Sequence, residues 1–215
     1  MASPGAAYPA PGAKLHAELV EWTAGRAIHR IHDKKYASTQ FNASGLGNTR
    51  FSPIAGAARK TVSTLYGGST FDCAAMETVF HDIPHAPGFK TFDKDKLSDK
   101  RASVVSPVRD LQLVDLSSKA LRKLGISRLQ LIDSDAADYP NTRPWAAALH
   151  AQYPKADGLV WVSRQDDEAR AMILFGDRMD KGDLGETSPP SDIAGDPILY
   201  GQLLELAKRI GVNIA

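Results

Sequence analysis

The chain has 215 residues, of which 43% are hydrophobic, and this is enough to fill one well-packed core. Lys and Arg number 26 against 25 Asp and Glu, so the net charge of +1 supplies no general attraction to nucleic acid or to an anionic membrane. A single cysteine, Cys73, excludes an intramolecular disulfide.

The first residues differ in composition from the rest of the chain. Residues 1–13 are rich in Pro, Ala and Gly and are expected to form a flexible arm, with residues 14–215 forming a single domain. No basic segment followed by an apolar run opens the chain, and no later stretch is long enough to span a bilayer. We therefore expect a cytoplasmic protein that binds neither membranes nor nucleic acid directly.

Local patterns predict three elements before residue 60. Residues 15–23 are expected to form a short helix, because their large apolar side chains repeat at helical spacing. Residues 27–32 alternate apolar with polar side chains and predict a strand with Arg30 near its centre. Residues 44–53 form a glycine-containing loop that carries Arg50.

The next helix carries an unexpected carboxylate. Residues 63–68 predict a strand that ends at two glycines, and Ser69 or Thr70 is available to cap the following helix. Apolar side chains cover most of that helix and leave Glu77, Thr78 and His81 in one narrow sector. Burying an unpartnered carboxylate is costly, so we expect Glu77 to face a protein partner group or a pocket.

The second half alternates strands with helices. Pro84 and Pro87 are expected to end the helix of Glu77, and the charged residues 90–101 to form a solvated insertion. The order of the remaining elements predicts an α+β domain with a mixed sheet and flanking helices. The predicted strands are 102–105, 111–116, 158–163 and 169–175, and the predicted helices are 117–124, 144–153 and 196 onward. The last two strands are expected to pair with each other through the polar turn of residues 164–168.

Several standard sites are missing from the sequence. It contains no phosphate-binding loop of the nucleotide hydrolases and no complete dinucleotide fingerprint. Glu77, His81 and His85 are spaced four residues apart, as ligands on one helical face would be. Because Pro84 interrupts that helix, we expect no metal site.

Five polar residues lie in otherwise apolar elements. Each of them taken singly is explained by packing or by a surface position. Their order along the chain is more specific. A strand with an arginine comes first, and a glycine-containing loop with a second arginine follows it. Next come a Tyr-Gly-Gly strand with an alanine-containing helix and, later, an apolar strand that ends in serine. Over residues 27–175 this order resembles the RES domain, whose signature is Arg, Glu and Ser. The five residues are Arg30, Arg50, Tyr66, Glu77 and Ser163, and either arginine matches the signature.

The resemblance implies an activity. RES proteins are NAD⁺-depleting toxins, in some members NAD⁺ phosphorylases, with a fold similar to that of ADP-ribosyltransferases and with an Xre-type antitoxin as partner. It implies NAD⁺ as substrate and inorganic phosphate as one possible co-substrate. Glu77, Arg50 and Ser163 are the catalytic candidates on this basis, and Arg30, Arg50, Tyr66 and Ser163 are the candidates for binding NAD⁺.

The chemistry suits these residue types. A carboxylate such as Glu77 stabilises the oxocarbenium ion that forms when nicotinamide leaves, and guanidinium groups bind pyrophosphate or phosphate. The Tyr66 ring is expected to stack on the nicotinamide, and Ser163 to bond a ribose hydroxyl or Glu77. Two alternatives stay open, namely an ADP-ribosyltransferase that modifies a protein and a non-catalytic ADP-ribose-binding module. The sequence also leaves open the acceptor and the number of subunits, a homo-oligomer included.

Overall fold

A computed structural model describes residues 8–56 and 59–215. In these ranges the helices are α1 (Phe71–Thr78), α2 (Ser118–Leu124), α3 (Arg128–Leu131), α4 (Tyr139–Gln152) and α5 (Pro197–Arg209). The strands are β1 (Leu19–Trp22), β2 (Ile28–Asp33), β3 (Thr64–Gly68), β4 (Lys90–Phe92), β5 (Lys100–Pro107), β6 (Leu111–Asp115), β7 (Gly158–Val162), β8 (Arg170–Phe175), β9 (Leu184–Asp192) and β10 (Val212–Ile214). Two short 3-10 turns cover Lys94–Leu97 and Ala136–Asp138.

The main feature of the described chain is a curled, mixed sheet of eight strands in the order β1-β6-β7-β8-β3-β2-β5-β9. Strands β6 and β7 run parallel, and the other neighbours in this sheet are antiparallel. Strands β4 and β10 form a separate parallel pair. Helices flank the sheet, so the predicted α+β class with a mixed sheet is confirmed.

Alternating side chains build two layers of core. Along β8, Met172 and Leu174 face the cluster enclosed by the curled sheet, where they join Leu113 of β6. Ile173 and Phe175 face the other side, where Trp145 of α4 and neighbouring side chains of α2 cover them. The strands of residues 158–163 and 169–175 pair antiparallel as predicted.

Helix α1 packs unusually close to the sheet. The Thr70 side chain caps it by accepting a hydrogen bond of 3.0 Å from the Cys73 amide, as the sequence indicated. A Cβ atom at Gly68 would lie 2.8 Å from Cys73 Sγ, so only glycine leaves room for the helix. At Gly67 a Cβ atom would lie 2.4 Å from a methyl group of Ile28. The two glycines therefore hold α1 and β2 against β3.

The predicted helix at residues 15–23 is wrong, because residues 19–22 form strand β1. Its backbone pairs antiparallel with β6, and Trp22 is buried in the enclosed cluster. Leu15 instead packs into the helix-covered cluster on the other side. The apolar side chains that suggested one helical face thus pack into two different cores. Residues 19–22 form a strand because they pair with the free edge of β6.

The predicted solvated insertion at residues 90–101 is also wrong. This segment contains β4, a 3-10 turn and the start of β5, and β4 pairs with the C-terminal strand β10. Phe92 and Leu97 are 8% and 1% exposed and pack with Leu203 and Leu206 of α5. The lysines and aspartates between them are exposed, so the charged composition of the segment gave no indication of its two buried side chains.

Other differences concern boundaries. Helix α4 begins at Tyr139, five residues before the predicted start at Pro144, and includes that proline in its interior. The sequence prediction omitted α3, β9 and β10. Strand β9 is an edge strand, where Pro189 and Pro190 are tolerated because one side needs no amide donors.

The predicted arm lies partly outside the described residues, which begin at residue 8. Trp145 Nε1–H donates a hydrogen bond of 2.9 Å to the Pro9 carbonyl, and Gln152 donates one of 3.3 Å to the Gly12 carbonyl. The single domain expected for residues 14–215 stays a prediction. In the ranges 8–56 and 59–215, no helix has the length and apolar character needed to cross a membrane.

Candidate active site

Four of the five predicted site residues line one cavity of about 510 Å³, which we call the Glu77 cleft. Its floor is formed by β2, β3, β7 and β8, and its walls by α1, the 48–50 loop and the start of α4. Ser163 lies directly behind the wall, bonded to Glu77. The lining residues with side-chain polar groups are Arg30, Asn48, Thr49, Arg50, Tyr66, Glu77, Thr78, His81, Asp82, Tyr139 and Trp161.

A larger groove, of about 820 Å³, lies between α1 and α5. Its charged residues include Asp72 and Arg209, which pair with each other at 3.1 Å, and the exposed Glu168 and Glu205. These groups are solvated and partly neutralised, whereas the Glu77 cleft holds a buried cation. We therefore place the candidate site in the smaller cavity.

Ser163 fixes the orientation of Glu77. Its hydroxyl is fully buried just after β7 and accepts hydrogen bonds from the amides of Gln165 and Asp166, at 3.0 and 3.1 Å. With both lone pairs occupied, the hydroxyl hydrogen is directed to Glu77 Oε1, 2.6 Å away. This is the second of the two partners predicted for Ser163, and it holds one carboxylate oxygen while Glu77 faces the cleft.

Hydrogen bonds from three side chains hold the loop that carries Arg50. The Tyr66 hydroxyl lies 2.8 Å from Thr49 Oγ1 and accepts a hydrogen bond of 3.2 Å from the Phe51 amide. From α4, Arg143 donates to the Thr49 carbonyl at 3.1 Å, and the Thr142 hydroxyl donates to the Arg50 carbonyl. The backbone on both sides of Arg50 is therefore fixed by side chains distant in sequence.

The guanidinium of Arg50 is buried and poorly satisfied. The residue is 4% exposed, and its Nη2 donates a long hydrogen bond of 3.4 Å to the Ser134 carbonyl. Its Nε has no acceptor among the described residues. The guanidinium also lies over the Tyr139 ring, whose centroid is 5.5 Å from Cζ. A buried cation with so few acceptors is suited to bind an anion that enters the cleft.

Arg30 has different surroundings. Its guanidinium donates to the carbonyls of Tyr66 and Gln40, at 3.3 and 3.4 Å, and to the carbonyl of Ser38. Burial lowers its pKa to about 10. Arg30 lines the cleft, but these bonds tie the 38–40 segment to β3. The predicted role of Arg30 in binding NAD⁺ stays a prediction, and Arg50 has the freer donors.

Tyr66 contributes a ring to the cleft and a hydroxyl to the loop. Burial raises its pKa to about 12, so the phenol is neutral. The ring packs edge-on against Trp161, with centroids 6.4 Å apart. Its predicted stacking on nicotinamide is untested, while its bonds to Thr49 and Phe51 place Arg50.

Three groups of the cleft, His81, Asp82 and Tyr139, had no catalytic or binding role assigned from the sequence. His81 Nδ1 lies 2.8 Å from Asp82 Oδ1, and His81 Nε2 lies 3.3 Å from the Tyr139 hydroxyl. The narrow polar sector shared by Glu77 and His81 was the available signal. The sequence offered no sign of Tyr139, because it follows His81 by 58 residues.

Metal ligands are not grouped in this cleft. Helix α1 ends at Thr78, six residues before the predicted stop at Pro84, so His81 and His85 both lie beyond the helix that carries Glu77. Over residues 8–56 and 59–215, no three His, Cys, Asp or Glu side chains are close enough together to hold a metal ion. The charged side chains that line the cleft are those of Glu77, Asp82, Arg30 and Arg50.

The fold and the site define an α+β domain whose cleft contains both a carboxylate held by a serine and a buried arginine with too few acceptors. A sequence model of the RES domain matches residues 27–192, most of the chain, and the chain belongs to the RES domain family. A search of curated proteins finds no match. Family membership makes this a toxin-like domain with NAD-related chemistry.

Proposed function

We propose that this protein cleaves the nicotinamide–ribose bond of NAD⁺ and transfers the ADP-ribosyl group to inorganic phosphate or water. The observation that carries the proposal is the guanidinium of Arg50, buried without adequate acceptors in the cleft that contains Glu77. NAD⁺ has an anionic pyrophosphate and a ribose that becomes cationic during cleavage. NAD⁺ therefore offers an anionic group to Arg50 and a developing cation to Glu77.

Glu77 acts on the ribose. Loss of nicotinamide leaves positive charge on the ring oxygen and C1 of the ribose, and a carboxylate placed there stabilises this charge more than it stabilises the substrate. Nicotinamide departs as a neutral molecule, so no general acid is required. Ser163 keeps the carboxylate in one orientation through the bond to Oε1, which lowers the cost of reorganisation.

Arg50 binds the anionic part of the reactants. A guanidinium forms charge-assisted hydrogen bonds with phosphate oxygens, and burial strengthens them. The pyrophosphate of NAD⁺ is one such group, and inorganic phosphate as co-substrate is another. The aromatic face of Tyr66 borders the same cavity and is available to the nicotinamide ring.

The first experiment measures NAD⁺ consumption by purified protein with and without inorganic phosphate, with products resolved by mass. Phosphate-dependent release of nicotinamide together with ADP-ribose-1″-phosphate would establish phosphorolysis. Phosphate-independent release with ADP-ribose would establish hydrolysis. Folded protein that leaves NAD⁺ intact under both conditions would contradict the proposal.

Glu77→Gln is the matched control. It keeps the side chain nearly the same size, so folding should be retained while turnover is lost. Labelled NAD⁺ incubated with cell lysate addresses transfer to protein, because label on protein would favour an ADP-ribosyltransferase. Binding of ADP-ribose by wild type, with no turnover and no effect of Glu77→Gln, would favour the non-catalytic module.

We further propose that an Xre-type antitoxin neutralises the enzyme, on the basis of its family. An NAD⁺-consuming enzyme harms the cell that makes it unless it is inhibited. Co-expression with an Xre-type protein from the same genome should restore growth and NAD⁺ levels and should yield a complex on size-exclusion chromatography. A candidate antitoxin that forms no complex and leaves NAD⁺ depleted would contradict this partner assignment.

A further inference from the structure

A chain of polar side chains leads from the Glu77 cleft to solvent. It starts at Tyr139, which is 3% exposed, passes through His81, whose side chain is 27% exposed, and ends at Asp82, whose side chain is 99% exposed. The Tyr139 hydroxyl lies 3.3 Å from His81 Nε2, and His81 Nδ1 lies 2.8 Å from Asp82 Oδ1. Each step is therefore more accessible to water than the one before it.

The chemistry of these groups fixes the direction of the hydrogen bonds. The Asp82 carboxylate can only accept, so His81 carries its hydrogen on Nδ1. In the neutral imidazole, Nε2 then has a free lone pair and accepts from the Tyr139 hydroxyl. The oxygen of Tyr139 in turn keeps its lone pairs for a donor inside the cleft. The chain is thus polarised to accept a proton at its inner end and release one at its outer end.

Burial favours a neutral phenol at the inner end. It raises the pKa of Tyr139, the positive charges of Arg50 and Arg164 lower that pKa, and the carboxylates of Glu77 and Asp82 raise it. Arg50 lies over its ring, and Glu77 precedes His81 by four residues, across the end of α1. Asp82 is the charged partner of His81, and the Gln165 side chain holds the backbone at residue 81 by donating to its carbonyl at 3.4 Å.

We propose that Tyr139, His81 and Asp82 form a proton relay that deprotonates a water molecule, or another hydroxyl acceptor, attacking the ribose. This inference rests on the proposed function. When the oxygen of water forms its bond to C1 of the ribose, the bond to nicotinamide breaks and its electron pair leaves with neutral nicotinamide. The proton of water passes to Tyr139, the Tyr139 proton passes to His81 Nε2, and the Nδ1 proton passes through Asp82 to solvent.

The other groups of the site do not fill this role. Glu77 already accepts the Ser163 hydrogen on Oε1 and faces the developing cation, which needs it ionised. The leaving group needs no proton. The phosphate dianion attacks through an oxygen that carries no hydrogen, so phosphorolysis by the dianion does not need the relay. Exchange of bound nicotinamide for labelled nicotinamide does not need it either.

The test compares hydrolysis with these two reactions in His81→Gln and Tyr139→Phe. General bases contribute about 100-fold to 10,000-fold, so hydrolysis should fall by about 100-fold or more. Phosphorolysis at alkaline pH and nicotinamide exchange should change by less than about threefold. Imidazole added to His81→Ala should restore part of the hydrolysis, which a purely structural histidine would not permit. His85→Gln, an exposed histidine nearby, is the matched control and should retain all activities.

The outcomes separate this relay from the proposed function. If wild type consumes no NAD⁺, the proposed function is contradicted, and the relay with it. If wild type hydrolyses NAD⁺ but the variants lose all three reactions together, or lose none, the relay is overturned while cleavage of NAD⁺ stands. A wild type that transfers only to phosphate at every pH also overturns the relay. Selective loss of hydrolysis with rescue by imidazole supports it.

Discussion

Loss of charge should destabilise the fold at one arginine of the Glu77 cleft and leave its stability nearly unchanged at the other. Replacing each by methionine removes the guanidinium and keeps an unbranched side chain of similar reach. In Arg30→Met the carbonyls of Ser38, Gln40 and Tyr66 lose their donor. In Arg50→Met one bond of 3.4 Å to Ser134 is lost, and a poorly satisfied buried cation disappears.

The expected magnitudes differ enough to measure. A buried acceptor left without a partner costs about 1–3 kcal/mol, so Arg30→Met should lower the free energy of unfolding by about 3 kcal/mol. For a chain of this size that corresponds to a melting temperature roughly 6–12 °C lower. Arg50→Met loses the contacts of the guanidinium but also removes the cost of burying its charge, and these two effects offset each other. The free energy of unfolding should therefore change by less than about 1 kcal/mol.

The assay has two parts. Urea unfolding of wild type and both variants gives the free energies, and calorimetry in a Glu77→Gln background gives NAD⁺ affinity without turnover. Arg50→Met should weaken NAD⁺ binding by about 10-fold to 100-fold, the loss of a charge-assisted bond worth about 1.5–3 kcal/mol. If Arg50→Met destabilises the fold as much as Arg30→Met and leaves NAD⁺ affinity unchanged, Arg50 is a structural cation and the reasoning fails.

Three further predictions concern packing, the serine and growth. Gly68→Ala should destabilise the fold by about 1–3 kcal/mol, because its Cβ atom would lie 2.8 Å from Cys73 Sγ. Gly201→Ala has no atom within 4 Å of its Cβ atom and should stabilise α5 by about 0.5–1 kcal/mol. Thermal unfolding measures both variants, and equal effects would contradict this packing. Ser163→Ala should lower the rate constant for NAD⁺ cleavage more than the affinity for NAD⁺, and an unchanged rate would contradict its role in holding Glu77. Expression of wild type in bacteria should deplete NAD⁺ and stop growth, whereas Glu77→Gln should not; depletion by both would exclude Glu77 from the chemistry.

Strands and helices with a strong local signal could be predicted from the sequence. The continuous apolar runs of β7 and β8 and the polar turn between them predicted their antiparallel pairing. Thr70 and the two glycines before it predicted the start of α1. These elements are specified by nearby residues, so no knowledge of the tertiary fold was needed.

The failures come from pairing partners that the local sequence does not reveal. Residues 19–22 become a strand because β6 offers a free edge more than 85 positions further along the chain, as the pairing of Trp22 with Leu111 shows. Residues 90–92 become a strand because the end of the chain returns to pair with them. The charged composition of residues 90–101 predicted a solvent-exposed segment, yet Phe92 and Leu97 within it are core residues.

The site was predicted in part. Glu77 was singled out by its apolar surroundings, and its link to Ser163 was one of two alternatives. The sequence left Arg30 and Arg50 equivalent because their difference lies in acceptors, and the carbonyls that satisfy Arg30 follow it by 8, 10 and 36 residues. Such acceptors become visible only when the loops are folded.

The way Arg50 is held argues that its unsatisfied donors are functional. Tyr66, Thr142 and Arg143 fix the backbone beside it, so the buried position of the guanidinium is imposed by the fold rather than tolerated at a mobile loop. A cation recruited for stability would be surrounded by acceptors, as Arg30 is. Fixing a charge where few acceptors meet it lowers stability, and this arrangement is advantageous when an anionic ligand completes the missing bonds. The same cleft holds Glu77 in one orientation, which joins anion binding and cation stabilisation in a single site.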